Sequence, residues 1–465
     1  MEQTEARAAE PTEAPAAAPE SGVRRRGARI DWVFGALLVI ASLLVGIVQV
    51  GEHRAISPID EYVYIDYLAK VPSQGIVRGG EHTGDYARES LACRGVRLIG
   101  QYPATLCRTA DSSPDSAFPT AGTNSADIYT PIYFAVTWVL AQPFQWLGVH
   151  DLTDAGRLTG WIWLAAAAVL LYLSLRRLKV GPLLSFGLGM LMVGSLPAMW
   201  SNTYVSTDAP ALLAGAAMLW GILRFEDGKR FGLLVLAVLA TVATLIKVQN
   251  YGAVAVAVVF LLLRAGWSAF GARGIGFGAR LLAWLKDRRF LAGVVIAVVP
   301  LLLEVLWLAV RTAIRVGPSA DQGTATHFGV AELVSEMFKF FAGPANGAVD
   351  GQMLGPVGLV LASVLTWVIV SGVLGAAAVE RRGSIGESIA VSSFAIALLI
   401  GPALAVLTIV TAGYYFALPA RYGIPLIPFY LLCAGLLYRR KPWIGTVVAV
   451  VGIACWGLSF LLPAG

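Results

Sequence analysis

Long apolar runs recur along the whole chain, and short polar segments separate them. Most runs hold about 20 residues, the length that an α-helix needs to cross the roughly 30 Å apolar core of a bilayer. Because the bilayer core offers no water to the backbone, we expect the spanning segments to be α-helices. The pattern predicts about eleven spans, over residues 32–50, 156–175, 182–199, 207–224, 231–246, 250–264, 290–311, 354–375, 387–410, 421–438 and 443–461.

One further run, residues 128–148, is ambiguous because it carries a proline near each end, Pro131 and Pro143. If this run crosses the membrane, every later loop changes side. Without it, 21 of the 35 Lys and Arg residues fall in short clusters on the inner side. Cytoplasmic loops are enriched in these residues, so the charges favour eleven spans. We expect 128–148 to lie in the outer interface.

The composition indicates a membrane protein. Hydrophobic residues make up 57% of the 465, charged residues only 14%, and the mean hydropathy is +0.70. A soluble domain has about 25% charged residues. The fold class that we predict is an all-α polytopic protein of the cell (plasma) membrane, with membrane lipids as partners. The net charge of +6 resides in the cytoplasmic clusters and does not indicate nucleic-acid binding.

This topology divides the chain into three parts. Residues 1–30 are expected to form a disordered cytoplasmic tail, because residues 1–23 are rich in Ala, Pro and Glu. Residues 31–311 form a transmembrane module that contains a large outer loop, 51–155. Residues 312–465 comprise a second outer loop and the C-terminal transmembrane helices, with the carboxy terminus outside.

The cysteines fall into two pairs. Cys93 and Cys107 share the first outer loop, whereas Cys433 and Cys455 lie in apolar runs as small buried residues. We expect a disulfide between Cys93 and Cys107 if the outer side is oxidising. Closing a loop of this length stabilises by about 3 kcal/mol.

An Asp-Glu pair, Asp60 and Glu61, follows the first span in the stretch "SPIDEYVYIDYL". As a helix, this stretch places Ile59, Tyr62 and Val63 on an apolar stripe. We therefore predict a short amphipathic helix at the interface, with its carboxylates toward water or a cavity. Its acidic residues are equally typical of a solvated helix face.

Several features, taken in order, resemble the GT-C membrane glycosyltransferases, such as the protein O-mannosyltransferases and the lipid A aminoarabinose transferase. Those proteins carry an acidic residue or pair early in the first outer loop, and two helices along the membrane within that loop. The matching features here are Asp60-Glu61, "YTPIYF" (Tyr129–Phe134, with Thr130 where the family has a second Pro), Arg157, Asp208, Lys247 and "ARYGIPLIPFYLL" with Arg421-Tyr422.

This resemblance implies transfer of a sugar from a polyprenyl-phosphate carrier to a glycan, lipid or protein acceptor on the outer face, with inversion. A carboxylate near the acceptor hydroxyl acts as general base. Asp60 is the expected base, and Glu61 is its backup or orients it. The expected donor-binding residues, most of them also explicable as basic side chains that reach the interface, are Lys247, Arg421, Tyr422, Arg157, Asp208 and Arg78.

Other functions remain open at this point. A flippase or transporter for lipid-linked glycans accounts for Glu304, which lies within a predicted span, and for Asp208. An outer-face glycan polymerase or ligase is a third possibility. His82 and Asp85 could bind a divalent metal, but two ligands are too few to predict a site, so we expect no cofactor besides the lipid-linked sugar donor.

The topology can be tested by cysteine labelling. A cysteine at position 275, in the basic loop, is expected to resist a membrane-impermeant maleimide in intact cells and to react after permeabilisation. Ser319→Cys, in the second outer loop, is the control and is expected to react in intact cells. Labelling at position 275 from outside contradicts the eleven-span topology.

Overall fold

The computed structural model describes residues 20–96, 107, 113–271, 274, 276–318 and 325–462. Of residues 20–28, 411 and 412 it describes the backbone only. This part of the chain forms α-helices joined by turns and short 3₁₀ segments, and its extended pairings are isolated bridges. The prediction of an all-α protein is confirmed.

The first nine helices comprise the first predicted span, the helices of the predicted first outer loop and the helices that follow that loop. Their bounds are α1 Glu20–Glu52, α2 Glu61–Gln74, α3 Asp85–Arg94, α4 Ile132–Trp146, α5 Leu152–Leu158, α6 Gly160–Arg177, α7 Pro182–Val193, α8 Leu196–Asn202 and α9 Ala211–Glu226.

The remaining helices are longer on average, and α14 lies in the predicted second outer loop. Their bounds are α10 Gly232–Ile246, α11 Tyr251–Phe270, α12 Phe277–Lys286, α13 Arg288–Ala313, α14 Val330–Ala342, α15 Gly355–Val379, α16 Ile385–Ala412, α17 Ile427–Tyr438 and α18 Pro442–Ser459.

Eight helical segments of the described chain are long and apolar enough to cross a membrane. A ninth is α7 with α8, which bend by 55° at Gly194 and Ser195. The other two predicted spans are the shorter helices α9 and α10, of 16 and 15 residues. All eleven apolar runs are therefore helical, whereas the count of eleven spans stays a prediction.

The bend between α7 and α8 has a local cause. Pro197 occupies the first turn of α8, and the Ser195 hydroxyl accepts a hydrogen bond from the backbone N–H of Ala198. A proline in the first turn and a serine cap are the usual start of a new helix. The predicted span 182–199 therefore divides into two helices.

The ambiguous run 128–148 forms α4, which has 15 residues and is not among the candidate spans. Its Phe134 ring stacks on Tyr67 of α2 with 4.0 Å between ring centres. Its other face leaves Val139 and Trp146 exposed. A helix that packs one face on the protein and exposes a second apolar face has the pattern of a helix lying along a membrane surface.

Helix α2 forms where it was expected, but it is not one-sided. Tyr62 to Leu68 are all buried, on both faces of the helix. The Asp66 carboxylate is also buried, and it accepts hydrogen bonds from the backbone N–H of Gly84 and the side chain of Asn124. The predicted solvated or cavity-facing side is therefore wrong for most of α2, because α3 and the segment around Asn124 cover it.

Three smaller predictions concern the two cysteine pairs and the amino-terminal segment. The Cys93–Cys107 disulfide is confirmed, and Cys433 and Cys455 are buried free thiols. Helix α1 begins at Glu20, inside the segment 1–30 that was expected to be disordered. Residues 1–19 lie outside the described chain.

Close helix contacts position the elements around the site. A Cβ at Gly160 would lie 1.9 Å from the backbone oxygen of Asn202, so only glycine allows α6 to meet α8 this closely. The Asn202 side chain donates to the backbone oxygens of Gly160 and Ala209. These contacts fix the turn that precedes α9, and this turn carries Asp208.

Candidate functional site

The adjacent carboxylates Asp60 and Glu61 face different surroundings. Asp60 precedes α2 with φ of 57°, a left-handed conformation that costs a non-glycine residue on the order of 1 kcal/mol. Its side chain is 38% exposed, whereas that of Glu61 is fully buried. The turn at Asp60 thus directs the two side chains into separate environments.

Glu61 forms a buried ion pair with Arg157 at the end of α5. Both side chains are 0% exposed, and the two carboxylate oxygens accept from Arg157 Nε and Nη2 at 2.7 Å each. The backbone N–H groups of Ser57 and Val205 also donate to Glu61. Since the carboxylate accepts four hydrogen bonds, it has no capacity left for a substrate.

The guanidinium of Arg157 also makes contacts beyond Glu61. It donates to the backbone oxygens of His53 and Ala55, and its guanidinium lies 4.9 Å from the ring centre of Tyr204. These contacts favour a structural role for Arg157 over the phosphate-binding role expected from the sequence. The pair holds together the end of α1, the start of α2, α5 and the turn around Val205.

A second group, which we call the charge cluster, consists of Asp60, Arg421, Asp208 and Lys247. Arg421 Nη2 donates to Asp60 Oδ2 at 2.6 Å, and Lys247 Nζ donates to Asp208 Oδ1 at 2.6 Å. Arg421 Nε lies 3.5 Å from Asp208 Oδ2 and joins the two pairs. The cluster holds two cations and two carboxylates, and four separate segments of the chain supply them.

The Arg421 Nε–H group is a buried donor without a hydrogen-bond partner in the described structure. Its 3.5 Å approach to Asp208 is an ion pair that does not meet hydrogen-bond geometry. Leaving such a donor unmatched is costly, typically about 1–3 kcal/mol. The cluster therefore has an unused donor for an anionic or polar ligand.

Tyrosine rings surround the cations. Lys247 Nζ lies 5.7 Å from the ring centre of Tyr129 and 5.5 Å from that of Tyr422, and Arg421 lies 5.8 Å from the Tyr422 ring. Cations at this distance from a ring are attracted to its face. Thr130 donates to the backbone oxygen of Leu245 and ties Tyr129 to the end of α10.

Burial sets the protonation behaviour around the cluster. It raises the pKa of Tyr64 and of Tyr129, so both phenols stay neutral and retain their protons near pH 7. Burial also lowers the pKa of Lys247, in the link between α10 and α11, although Asp208 opposes this effect. An anionic ligand beside Lys247 would favour its charged form.

An apolar cavity of about 440 Å³ opens beside the charge cluster. Lys247 of the cluster lines this cavity, together with Tyr129 and Tyr422, whose rings lie beside Lys247. Apolar side chains of α13 and α16 make up much of the remaining wall, among them Leu301, Val305, Leu308 and Leu404. The cavity thus joins a charged end to a hydrocarbon-like interior.

Glu304 also lines this cavity, on α13. Its Oε2 is buried without a hydrogen-bond partner in the described residues, and so is Gln249 Oε1 on the same wall. Glu304 therefore lines the cavity with one carboxylate oxygen that has no hydrogen-bond partner among the described residues.

The structure brings together five of the residues expected from the sequence: Asp60, Asp208, Lys247, Arg421 and Tyr422. Arg78 lies elsewhere, contacts Glu81 at 3.4 Å and has a half-exposed side chain. His82 pairs with Asp115, and the described residues hold no group of three or more metal-ligating side chains. Sequence reasoning did not include Tyr64 and Tyr129 as site residues, although the quoted motifs contain both.

Solved structures include proteins that are similar to this chain. Neither the family models nor the curated proteins compared with this chain match it. The chain is similar to ArnT from Cupriavidus metallidurans, in a crystal structure bound to undecaprenyl phosphate, with 15% sequence identity and a TM-score of 0.48. The match covers 91% of this chain and 63% of ArnT, so the chain spans less than two thirds of that protein. At this degree of likeness, function has to be argued from the site's own residues.

Removal of one partner of the Glu61–Arg157 pair is expected to destabilise the protein strongly. Arg157→Met leaves a buried carboxylate without its cation, which typically costs about 3–5 kcal/mol. Arg78→Met is the matched control, because an exposed ion pair contributes at most about 1 kcal/mol. Titration of the detergent-solubilised protein with a denaturing surfactant measures the stability of both variants. Equal stability of the two variants contradicts the structural role of the pair.

Proposed function

We propose that the chain is an inverting glycosyltransferase, which moves a sugar from a polyprenyl-phosphate carrier to an acceptor on the outer face of the membrane. One observation carries the proposal. A cluster of two cations and two carboxylates, with an unmatched Arg421 donor, adjoins an apolar cavity of about 440 Å³ through Lys247. An amphipathic ligand with an anionic head and a hydrocarbon chain fits both parts.

The phosphate of the donor is placed beside Lys247 and Arg421, and the polyprenyl chain in the cavity. Arg421 Nε offers a donor that has no hydrogen-bond partner in the described structure, and Lys247 is one of the residues that line the cavity. Charge-assisted hydrogen bonds from both groups stabilise the negative charge that develops on the leaving phosphate. Asp208 lies between the two cations, so it orients both of them.

Asp60 serves as the general base for the acceptor. Its partial exposure of 38% gives an acceptor hydroxyl access from the outer aqueous side. The acceptor oxygen attacks the anomeric carbon and passes its proton to Asp60. The bond between that carbon and the phosphate oxygen breaks, and the polyprenyl phosphate leaves with the electron pair. A single displacement of this kind inverts the anomeric configuration.

Binding of the donor also prepares the base. Arg421 donates to Asp60 at 2.6 Å, so one oxygen of the carboxylate is engaged by this hydrogen bond. A phosphate that competes for Arg421 releases Asp60 to accept the proton. Glu61 is saturated by other donors, so it orients Asp60 through the backbone and is not a second base.

A transporter for lipid-linked glycans is the second candidate, because Glu304 and Gln249 present unmatched acceptors inside the cavity. The two functions differ in their products. A transporter moves the intact lipid between leaflets, whereas a transferase releases polyprenyl phosphate. Incubating membrane vesicles, which supply native acceptors, with radiolabelled polyprenyl-phosphate sugars and separating the lipids by chromatography distinguishes them.

Asp60→Asn is expected to lower sugar transfer by about 10²- to 10⁴-fold, the range for a positioned acid–base group. Binding of the labelled donor is expected to persist or tighten, because Arg421 loses a competing carboxylate. Glu61→Gln is expected to reduce transfer less than Asp60→Asn. If Asp60→Asn keeps wild-type transfer while Glu61→Gln abolishes it, the base is assigned to the wrong residue.

Lys247→Ala and Arg421→Ala are expected to weaken donor binding by about tenfold to a hundredfold, since each removes a charge-assisted contact. They also slow transfer. Arg421→Lys loses the Nε donor but keeps the positive charge. Its defect is therefore expected to be smaller than that of Arg421→Ala. Arg54→Ala, at an exposed arginine of the predicted first outer loop, is the control. Unchanged binding in both alanine variants, measured by equilibrium binding in nanodiscs, excludes a phosphate site at this cluster.

A further inference from the structure

Helix α14, in the predicted second outer loop, carries a charged residue, Glu336, on its buried face. Glu336 and Phe340, one turn apart, are both 0% exposed, whereas Val330, Val334 and Phe338 face outward. Burying a carboxylate among packed residues is costly unless it is paired and hydrogen-bonded. The contacts of Glu336 therefore indicate what α14 holds in place.

Glu336 Oε1 accepts three hydrogen bonds. The Tyr415 hydroxyl donates at 2.6 Å, the Leu418 backbone N–H at 3.0 Å and Lys339 Nζ at 2.5 Å. Two of these donors belong to the segment that links α16 to the 3₁₀ segment Ala420–Leu426. Glu336 thus fixes both a side chain and the backbone of the segment that leads to Arg421.

Phe340 supports the same segment from the other side of Arg421. A Cβ at Gly423 would lie 2.9 Å from the Phe340 ring, so the ring packs directly on this glycine. A Cβ at Gly401 would lie 2.1 Å from the Glu336 backbone oxygen, so α14 also lies directly on α16. The helix is therefore a fixed support and not a loosely attached loop.

These contacts enclose Arg421 in sequence, because Leu418 precedes it by three positions and Gly423 follows it by two. We infer that Glu336 is a positioning residue, which holds the 415–423 backbone so that Arg421 reaches Asp60 and Asp208. Its effect on catalysis rests on the proposed function. Its effect on the backbone does not.

Two substitutions separate the hydrogen bonds from the charge. Glu336→Gln retains an oxygen that accepts from Tyr415 and Leu418 and loses only the ion pair with Lys339. Glu336→Leu removes every acceptor. Glu332→Leu is the matched control, since Glu332 lies on the same helix and its carboxylate accepts from Gly329 N–H at the start of α14.

The first measurement is backbone hydrogen exchange of peptides that cover 413–423, in the full-length protein in nanodiscs. Glu336→Leu is expected to raise exchange there at least tenfold, while Glu336→Gln and Glu332→Leu leave it near wild type. The second measurement is transfer from polyprenyl-phosphate sugars. Misplacement of a catalytic group by about 1 Å lowers rates by about 10²-fold, so Glu336→Leu is expected to reduce transfer by about that factor and Glu336→Gln to restore most of it.

A double variant tests whether the effect acts through Arg421. Adding Glu336→Leu to Arg421→Ala is expected to lower transfer by less than twofold further. Unchanged exchange in Glu336→Leu overturns the inference. Raised exchange with wild-type transfer, or independent losses in the double variant, overturns it as well.

If the wild-type protein transfers none of the sugars offered, the proposed function fails and the inference is judged on its own. In that case binding of undecaprenyl phosphate replaces transfer as the second measurement. Weaker binding together with raised exchange in Glu336→Leu supports positioning of Arg421. Unaltered binding by that variant overturns it.

Discussion

Charges buried in a membrane protein are costly unless they are paired, and this constraint organises the part of the fold around the starts of α2 and α9. Six charged side chains meet there in two groups. The Glu61–Arg157 pair is sealed from water and saturated with hydrogen bonds. The charge cluster is paired as well, but it keeps a partly exposed carboxylate and an unmatched donor. A closed pair stabilises the fold, whereas an open cluster can exchange its partners for a ligand.

The two groups depend on each other through one peptide unit. Asp60 and Glu61 are neighbours, so fixing Glu61 fixes the left-handed turn that presents Asp60 to Arg421. Glu336 plays the same part on the opposite side, where it accepts from the backbone of Leu418. Each partner of the Asp60–Arg421 contact is thus held by a buried carboxylate that accepts a backbone N–H. Such anchoring restricts a contact that joins residues 361 positions apart.

Much of this arrangement follows from the sequence, and the rest does not for identifiable reasons. Apolar periodicity and charge sidedness place Asp208, Lys247 and Arg421 at the ends of predicted helices on the same predicted side of the membrane. Neither feature specifies which charges pair, because the partners come from distant segments whose packing decides the geometry. Glu61 and Asp60 look alike in sequence, and only the backbone turn at Asp60 separates them. Helix α14 is too short and too mixed in polarity to be recognised as a support for Arg421.

Under the proposed function, the composition of the cluster also balances the charge of the reaction. The donor phosphodiester carries one negative charge, and the polyprenyl phosphate released from it carries nearly two at neutral pH. As the phosphate gains a second negative charge, Asp60 accepts the proton of the acceptor hydroxyl and loses its own negative charge. The net charge at the cluster therefore stays constant through the transfer, so a partly buried site need not stabilise an additional ion. The exposed edge of Asp60 then lets this proton pass to water, which restores the ion pair with Arg421 for the next donor.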